Sequence, residues 1–492
     1  MKVLMIYPKF PDTFWSFKYA LSFIHKRSAF PPLGLLTVAA LLPDEFQRRL
    51  VDVNVDCLTD DDLSWADLAF VSGMAVQRDS AKQIIARCKE KKLKVVAGGP
   101  LFTAEPEAFG EVDHLVLDEA ELTLPPFLED LKNGCLKKIY RASGFCDIHH
   151  TPFPSWDLIR MKKYASMSIQ FSRGCPFNCE FCNVTALFGH RPRIKTPQQV
   201  IAELDRIYDT GWRSNIFFVD DNFIGNKQYL KTQLLPALIE WRKDKKGCVF
   251  FTEASINLAD DPELMDMMVK AGFDSVFIGI ESPDDACLTE CHKTQNKNRN
   301  LLQSVKTIHQ AGLQVMGGFI VGFDSDTLSI FQRQIDFIQQ SRIVTAMVGI
   351  LQAPPGTRLF DRLQRENRVV SAFSGDNVDG TTNILPKMGL DKLLDGYRSI
   401  MKHIYSPYHF YRRVRNLLEE LKAPDITIPM DIQRVLAFFR SCFRLGVLGK
   451  ERIHYWHLLI WTLLRKPRLV PLAVTLAIYG HHYRRICETY II

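Results

Sequence analysis

The segment FSRGCPFNCEFCNV, residues 171–184, carries the strongest chemical signal in the chain. It holds Cys175, Cys179 and Cys182 in the spacing C-x3-C-x2-C, with Phe181 directly before the last cysteine. Three thiolates from one short loop can ligate three irons of a cubane iron–sulfur cluster and leave the fourth iron open to a small molecule. A structural zinc or iron–sulfur site normally has four protein ligands. The alternatives are a zinc knuckle completed by a distant His or Cys, and buried free thiols.

The spacing, the apolar strand before it and the aromatic residue before the third cysteine together resemble the cluster motif of the radical S-adenosylmethionine (SAM) superfamily. The resemblance implies a [4Fe-4S] cluster on these three cysteines, with the amino and carboxylate groups of SAM bound to the open iron. It also implies that SAM is cleaved there to a 5′-deoxyadenosyl radical, and that Phe181 contacts SAM.

The bulk composition describes a globular protein with a basic tail. With 492 residues, 47% hydrophobic and 24% charged, the chain is long enough for two to four domains. Twelve cysteines in this length fit a reducing compartment, and the start MKVLMIYPKF is typical of a buried strand rather than a signal peptide, so a cytoplasmic protein is predicted. Of the net charge of +7, residues 401–492 supply the excess, with 15 Lys and Arg against 6 Asp and Glu. The body is therefore not predicted to bind nucleic acid.

Residues 1–140 alternate short apolar strands with helical stretches, which predicts a doubly wound, Rossmann-like α/β domain. The predicted strands are Val3–Tyr7, Val51–Cys57, Leu68–Gly73, Leu93–Ala97 and His114–Leu117. The ligand crevice of such a sheet lies at the carboxyl ends of the strands. Residues 141–160 contain two prolines and no sustained periodicity, which predicts a linker.

The segment Pro31–Leu35, followed by TVAALLP, is similar to the start of the cobalamin-binding domain in the cobalamin-dependent branch of the radical SAM superfamily. The resemblance implies cobalamin in the crevice of the first domain. Its lower face is expected to lack a histidine ligand, because the D-x-H-x-x-G motif is absent. The predicted cobalamin-binding residues are Ser72, Gly73, Met74, Gln77, Gly98, Gly99 and Glu121. Paired glycines that only make a turn are the alternative for Gly98 and Gly99.

Residues 161–362 resume the alternation and predict a partial (β/α)6 barrel, with functional groups at the carboxyl ends of its strands. The predicted strands are Met167–Phe171, Asn215–Val219, Val249–Glu253, Ser275–Ile280, Val315–Val321 and Ala346–Leu351. Thr196, Pro197 and Gln199 predict the start of a helix with a capping box.

Polar residues at these strand ends are the candidates for binding SAM, whose ammonium and ribose hydroxyls need such partners. They are Asp220, Asp221, Glu253, Ser255 and Glu281, with helix capping as the alternative for Asp220 and Asp221. The resemblance implies that Ser255 and Glu281 touch SAM, that Gly318, Ile320 and Gly322 form the strand that contacts its adenine, and that Arg193 occupies the position of a family arginine. Cys287 and Cys291 fit a helix face better than a second ligand pair with His292.

Residues 363–492 predict a mainly helical C-terminal domain. The apolar runs Trp456–Leu464 and Leu469–Gly480 are too short to span a bilayer and are separated by basic residues. Two interpretations of this tail are possible. It is either an interfacial segment that gives peripheral membrane contact or a helical hairpin that closes the barrel mouth.

Most of the first 415 residues resemble the cobalamin-dependent radical SAM group that includes hopanoid methylases and the anaerobic magnesium-porphyrin cyclase, and IYSPYHFYRRV is similar to the C-terminal extension of its hopanoid-methylase-like members. The resemblance implies methylation of an unactivated carbon, in which one SAM methylates cobalamin and a second SAM supplies the radical. The apolar, basic tail suggests a lipophilic, terpenoid- or hopanoid-like substrate, and the electron donor is expected to be flavodoxin- or ferredoxin-like. Two alternatives remain: ring formation or rearrangement without methyl transfer, and a non-catalytic iron–sulfur or cobalamin sensor.

Overall fold

The computed structural model describes residues 1–376, 379–423 and 432–492. The first domain is a parallel sheet with six strands in the described residues, in the order β2-β1-β3-β4-β5-β6. The strands are β1 (Lys2–Tyr7), β2 (Gln47–Asp52), β3 (Leu68–Ser72), β4 (Lys94–Gly98), β5 (His114–Val116) and β6 (Ile139–Tyr140). Its helices are α1 (Lys18–Leu21), α2 (Leu33–Leu41), α3 (Asp60–Trp65), α4 (Arg78–Glu90), α5 (Pro100–Ala104) and α6 (Ala120–Asn133).

The two faces of this sheet are both covered, as a doubly wound fold requires. Along β1, Leu4 and Ile6 belong to the apolar cluster on one face and Val3 and Met5 to the cluster on the other. Alternation of side chains along a buried strand produces this division. The predicted Rossmann-like fold class is confirmed.

The predicted second strand, Val51–Cys57, was wrong in its position. The strand is Gln47–Asp52, and it pairs with β1 at the edge of the sheet. An edge strand has one half-exposed face, so its first residues are polar and do not form the continuous apolar run that the prediction used. The chain turns directly after it, because the backbone N–H of Asn54 donates to the carboxylate of Asp52 at 2.9 Å.

The second domain is a parallel sheet in the order β7-β10-β11-β12-β13-β14, which confirms the predicted partial barrel. Its strands are β7 (Ser166–Ile169), β8 (Ser172–Arg173), β9 (Arg193–Ile194), β10 (Asn215–Phe218), β11 (Val249–Glu253), β12 (Phe273–Glu281), β13 (Gln314–Val321) and β14 (Ala346–Ile350), where β8 and β9 form a separate antiparallel ribbon. Its helices are α7 (Val184–Phe188), α8 (Pro197–Asp209), α9 (Lys227–Tyr229), α10 (Leu235–Asp244), α11 (Pro262–Ala271), α12 (Asp285–Glu290), α13 (Leu301–Ala311), α14 (Ile330–Ser341) and α15 (Arg358–Arg365). The predicted capping box of α8 is present.

The C-terminal region is helical in its described residues. The helices are α16 (Leu390–Ile404), α17 (Pro407–Glu420), α18 (Ile432–Arg444), α19 (Arg452–Arg465) and α20 (Val470–Ile486). None of the described helices is both long and apolar enough to cross a membrane.

This helical region packs against the beginnings of the barrel strands. The Tyr405 hydroxyl, at the end of α16, donates to the carbonyl of Ala346 at 2.5 Å, where β14 begins. The imidazole of His482 on α20 bonds the carbonyl of Phe14 at 3.0 Å, and Phe14 packs edge-on to Tyr483 at 5.2 Å. The described helices therefore lie at the end of the barrel where its strands begin. Within residues 379–423 and 432–492 the structure shows no hairpin that closes the mouth, which the sequence had left as an alternative.

Candidate active site

The strand residues that precede the cysteine loop are held by a buried carboxylate, Asp220. Asp220 lies after β10 and is 1% exposed. It accepts hydrogen bonds from the backbone N–H of Phe171 at 3.2 Å and from the hydroxyl of Ser172 at 2.5 Å. Burial raises the pKa of Asp220 to about 7. Its contacts hold the strand that leads into the loop, which is a positioning role, and these contacts do not cap a helix as the alternative for Asp220 expected; contact with SAM stays a prediction.

The loop itself needs glycine at its first position. Gly174 has φ of +95°, and a Cβ there would lie 2.9 Å from the carbonyl oxygen of Gly189. The backbone N–H of Cys175 donates to the same carbonyl at 3.3 Å. A left-handed backbone in such close contact is accessible to glycine alone without strain. This tight return of the chain directly precedes the three cysteines.

The three cysteines are free thiols of intermediate exposure. Burial raises the pKa of Cys182 to about 12 and also raises the pKa of Cys175, and the three sulfurs lie close enough to affect one another. In the described residues no three His, Cys, Asp or Glu side chains already converge on a single metal ion. A cubane cluster uses one thiolate for each iron, so three neighbouring soft thiolates from one loop fit a [4Fe-4S] cluster with an open iron.

A buried ion pair lies beside the thiols. The ammonium of Lys293 is 2.7 Å from the carboxylate of Glu281 at the end of β12. Burial alone would lower the pKa of Lys293, but the charges of Glu281 and Cys179 outweigh it and raise that pKa. Glu281 has φ of +62°, an uncommon conformation for a residue with a side chain, and such backbone conformations concentrate at functional sites.

Further carboxyl groups lie at the ends of the neighbouring strands. Asp221 accepts from the backbone N–H of Gly174 at 3.3 Å, and burial raises its pKa to about 6. Burial, followed by the charge of Asp221, raises the pKa of Glu253 to about 8. The hydroxyl of Ser255 donates to Asn257 at 2.6 Å. The predicted SAM residues of β10, β11 and β12 thus share one end of the barrel.

The predicted adenine strand is β13. A Cβ on Gly318 would lie 2.9 Å from the ring of Phe277, and Gly322 has φ of +108°. Ile320 and Phe181 both pack against one apolar cluster, although they come from distant parts of the sequence. Cys287 and Cys291 are buried members of that cluster, which agrees with the helix-face interpretation. The assignment of these residues to SAM stays a prediction.

A cavity of about 1080 Å³ joins the carboxyl ends of the two sheets. Six predicted cobalamin residues line it: Ser72, Gly73, Met74, Gly98, Gly99 and Glu121. On the barrel side it is lined by residues that include Gln170, Phe217 and Glu253. Gln77 does not line the cavity. Its side chain accepts from the backbone N–H of Met74 at 2.9 Å and donates to the carbonyl of Pro8, so it shapes the loop instead.

Comparison with known proteins identifies the family. Residues 169–338 match the model of the radical SAM superfamily, and residues 357–491 match a domain of unknown function, DUF4070. The chain is 40% identical to an uncharacterized methyltransferase of Synechocystis sp., over 99% of this chain and 92% of that protein. It is 34% identical to the hopanoid C-2 methylase of Rhodopseudomonas palustris, over 94% of this chain and 90% of that protein. The chain belongs to the cobalamin-dependent methylase group of the radical SAM superfamily.

A solved structure supports the fold of this radical SAM chain. The cobalamin-dependent SAM radical enzyme OxsB, solved with aqua-cobalamin and SAM bound, matches with a TM-score of 0.60 over 99% of this chain and 84% of that chain. The identity is 15%, so this likeness concerns the fold. As a member of its group, the chain is a radical SAM methyltransferase, and its cofactors are a [4Fe-4S] cluster, SAM and cobalamin.

A second buried network ties the cluster loop of this radical SAM enzyme to its first domain. Arg173, directly before Gly174, pairs with Glu121 at 2.7 Å and with Glu119 at 3.0 Å. Arg193 pairs with Glu119 at 2.9 Å. Glu121 therefore lines the cavity with its carboxylate already engaged, and its predicted contact with cobalamin stays untested.

Sequence reasoning assigned no role to Lys293, Arg173 or Glu119, although Glu119 lies two residues before the predicted Glu121. Arg173 adjoins Gly174 of the cysteine loop, but a charge next to a motif does not reveal its partner. Lys293 follows Cys291 in a segment that was interpreted as a helix face. Each partner lies on another element, so no local pattern contains the pair.

Proposed function

We propose that the protein methylates an unactivated carbon of a lipophilic, terpenoid- or hopanoid-like substrate. The observation that carries this proposal is the cavity between the carboxyl ends of the two sheets. One wall comes from the loops predicted to hold cobalamin, and the opposite wall includes Glu253, which is predicted to contact SAM. A substrate in this space would have access to both cofactor sites.

Different groups of residues would bind the three cofactors. Cys175, Cys179 and Cys182 would hold the cluster, the strand-end carboxylates and Lys293 would position SAM, and the backbone of Gly98 and Gly99 would let cobalamin approach the sheet closely. When bound, the cluster and SAM supply a radical that abstracts hydrogen, and cobalamin carries the methyl group. The chain orients these groups and excludes water from the cavity.

Aromatic side chains support an apolar substrate. Trp15, Phe30 and Phe217 line the cavity. The rings of Phe30 and Phe217 are 5.3 Å apart, and Phe217 stacks on Phe251 at 4.7 Å. Trp15 is 40% exposed, which is high for so large an apolar side chain in a cavity wall. A flat hydrocarbon would cover this surface.

The electron for SAM cleavage is proposed to come from an external flavodoxin- or ferredoxin-like protein. The sequence has a single set of cysteines with cluster spacing, at Cys175, Cys179 and Cys182, which favours an electron donor outside this chain. Peripheral contact with a membrane through the C-terminal helices completes the proposal, because a lipophilic substrate would be found there.

The test uses anaerobically reconstituted protein with cobalamin, a reductant and SAM that carries a deuterated methyl group. Mass spectrometry follows 5′-deoxyadenosine, S-adenosylhomocysteine and the deuterium label in cobalamin and in an added lipid extract. We expect both SAM products, and label in cobalamin and in one lipid. Deoxyadenosine without label in cobalamin or lipid would contradict methyl transfer.

The control for this test is a pair of cysteine variants. Cys179→Ala is expected to lose iron and deoxyadenosine formation. Cys287→Ala, at a buried thiol outside the cluster loop, is expected to keep both. Equal loss in the two variants would contradict the assignment of the cluster ligands.

A further inference from the structure

Helices α18 and α19 and the segment between them expose large apolar side chains to solvent. We call this surface the apolar ridge and define it by Phe439, Phe443, Leu448, Ile453, Ile460 and Leu464, each of which is between 55% and 76% exposed. Phe439 and Phe443 are one turn apart on α18, and Ile453, Ile460 and Leu464 share a face of α19. Exposed apolar groups of this size in one place indicate an interaction surface.

The ridge is not the face that holds these helices to the protein. Tyr455, Leu458 and Leu459 form the buried face of α19. The hydroxyl of Ser441 on α18 lies 2.8 Å from the hydroxyl of Tyr455 and joins the two helices. Each helix therefore packs through one face and leaves a second apolar face in water.

The segment that carries the ridge is predominantly basic. Residues 432–468, all within the described part of the chain, contain eight Lys and Arg and one acidic residue. That residue, Glu451, is 3% exposed and pairs with Arg484 at 2.8 Å. Arg444, Arg452, Arg465 and Arg468 are exposed on α18, on α19 and directly after α19, and the exposed acid Glu488 lies 3.5 Å from Lys450.

We propose that the apolar ridge docks on the surface of an anionic bilayer. Its apolar side chains would enter the boundary between headgroups and acyl chains, and the basic residues would contact lipid phosphates. A second copy of the chain is the poorer occupant, because pairing through this face would bring two sets of like charges together. The apolar ridge supplies the residues for the peripheral membrane contact that the proposed function includes. This docking proposal does not depend on the methyl-transfer chemistry.

The test is flotation of the reconstituted full-length protein with vesicles. One set contains phosphatidylcholine and phosphatidylglycerol, and a neutral set contains phosphatidylcholine alone. We expect binding to the anionic vesicles that weakens as salt is added. The variant Phe443→Glu/Leu464→Glu is expected to lower the partition coefficient at least about tenfold, because both carboxylates would enter the apolar boundary.

The matched control is Leu328→Glu, at a residue that is 61% exposed on the barrel and outside the ridge. It is expected to bind vesicles as the unsubstituted protein does. Absence of vesicle binding, or equal loss in the control, would overturn the proposal. The proposal would also be overturned if sedimentation velocity showed a dimer that the double substitution converts to monomer while vesicle binding stays unchanged. Deoxyadenosine formation is measured on the same samples, so a failure of docking is distinguished from a failure of the proposed chemistry.

Discussion

Lys293 contributes a buried positive charge at the centre of the site. It pairs with Glu281, and a Cβ on Gly279 would meet both partners, so the backbone of β12 lies directly beneath the pair. The two side chains are 12% and 9% exposed, so water has little access to the pair. Their geometry therefore depends on both charges being present.

Replacing Lys293 by Met is expected to lower the free energy of unfolding by about 3–5 kcal/mol, because the carboxylate of Glu281 would stay buried without a partner. Urea denaturation of the cofactor-free protein measures this change. Lys243→Met, at a pair with Glu240 in which the two side chains are 64% and 71% exposed, is expected to cost less than about 1 kcal/mol. The double variant Lys293→Met/Glu281→Gln should recover much of the loss, and no recovery would contradict the argument.

Glu253 makes stability depend on pH. Burial raises its pKa from 4.5 to about 8, so between these values the folded chain binds a proton that the unfolded chain does not. Its contribution to stability is fully present below about pH 4.5 and is lost as pH rises through about 8. In the cofactor-free protein, the free energy of unfolding should fall less steeply between about pH 4.5 and 8 in Glu253→Gln than in the unsubstituted protein. The difference in slope should be up to about 1.4 kcal/mol per pH unit. Glu129→Gln, on the exposed face of α6, is the control, and equal slopes for the two variants would contradict the assignment.

The turn between β4 and α5 shapes one wall of the cavity through the backbone conformation of Gly99. Gly99 has φ of 91° and ψ of −178°, a conformation that is essentially restricted to glycine. A Cβ there would lie 2.5 Å from the hydroxyl oxygen of Ser72, at the end of β3. The turn thus brings two strand ends together at the wall predicted to face cobalamin.

Gly99→Ala is expected to cost on the order of 1–3 kcal/mol and to weaken cobalamin retention, because the strained backbone and the new Cβ both distort this wall. Thermal unfolding and cobalamin absorbance after gel filtration measure the two effects. Gly110→Ala is the control, since Gly110 has φ of −59° and open space at its Cβ position. A stable Gly99→Ala protein that retains cobalamin would contradict this role.

Across the whole molecule, buried charges connect the two sheets. Arg173 is 9% exposed and reaches from the cluster loop to Glu119 and Glu121 after β5. The backbone N–H of Cys146 also donates to Glu119 at 2.7 Å, so the linker predicted between the domains joins the same network. This network, together with contacts such as the hydrogen bond from Tyr164 to Asp52 at 2.9 Å, holds the cavity walls in position relative to each other.

Arg173→Met is expected to lower the free energy of unfolding by about 3–5 kcal/mol, because two buried carboxylates would lose a shared partner. Differential scanning calorimetry should show the two domains unfolding in separate transitions. Arg160→Met is the matched control: Arg160 also bridges to the first domain, through Asp56, but both side chains are largely exposed. It should cost less than about 1 kcal/mol. A single, unshifted transition in Arg173→Met would contradict the coupling.

The sequence by itself determined the features that depend on short segments. Cys175, Cys179 and Cys182 lie within eight residues, so their spacing alone indicates an iron–sulfur cluster site. Buried parallel strands are continuous apolar runs, which explains why every barrel strand and most strands of the first sheet were predicted. The capping box at Thr196 and Gln199 is likewise local, because both partners occupy one helical turn.

Tertiary structure alone decided which side chains meet and which faces stay exposed. The position of β2 depended on its place at the sheet edge, and the partners of Lys293, Arg173 and Glu121 lie on other elements. The two runs of the tail are both mainly apolar but differ in burial: α20 is largely buried, whereas one face of α19 stays in water. Composition records how apolar a segment is, but burial is set by the neighbours that the fold brings to it.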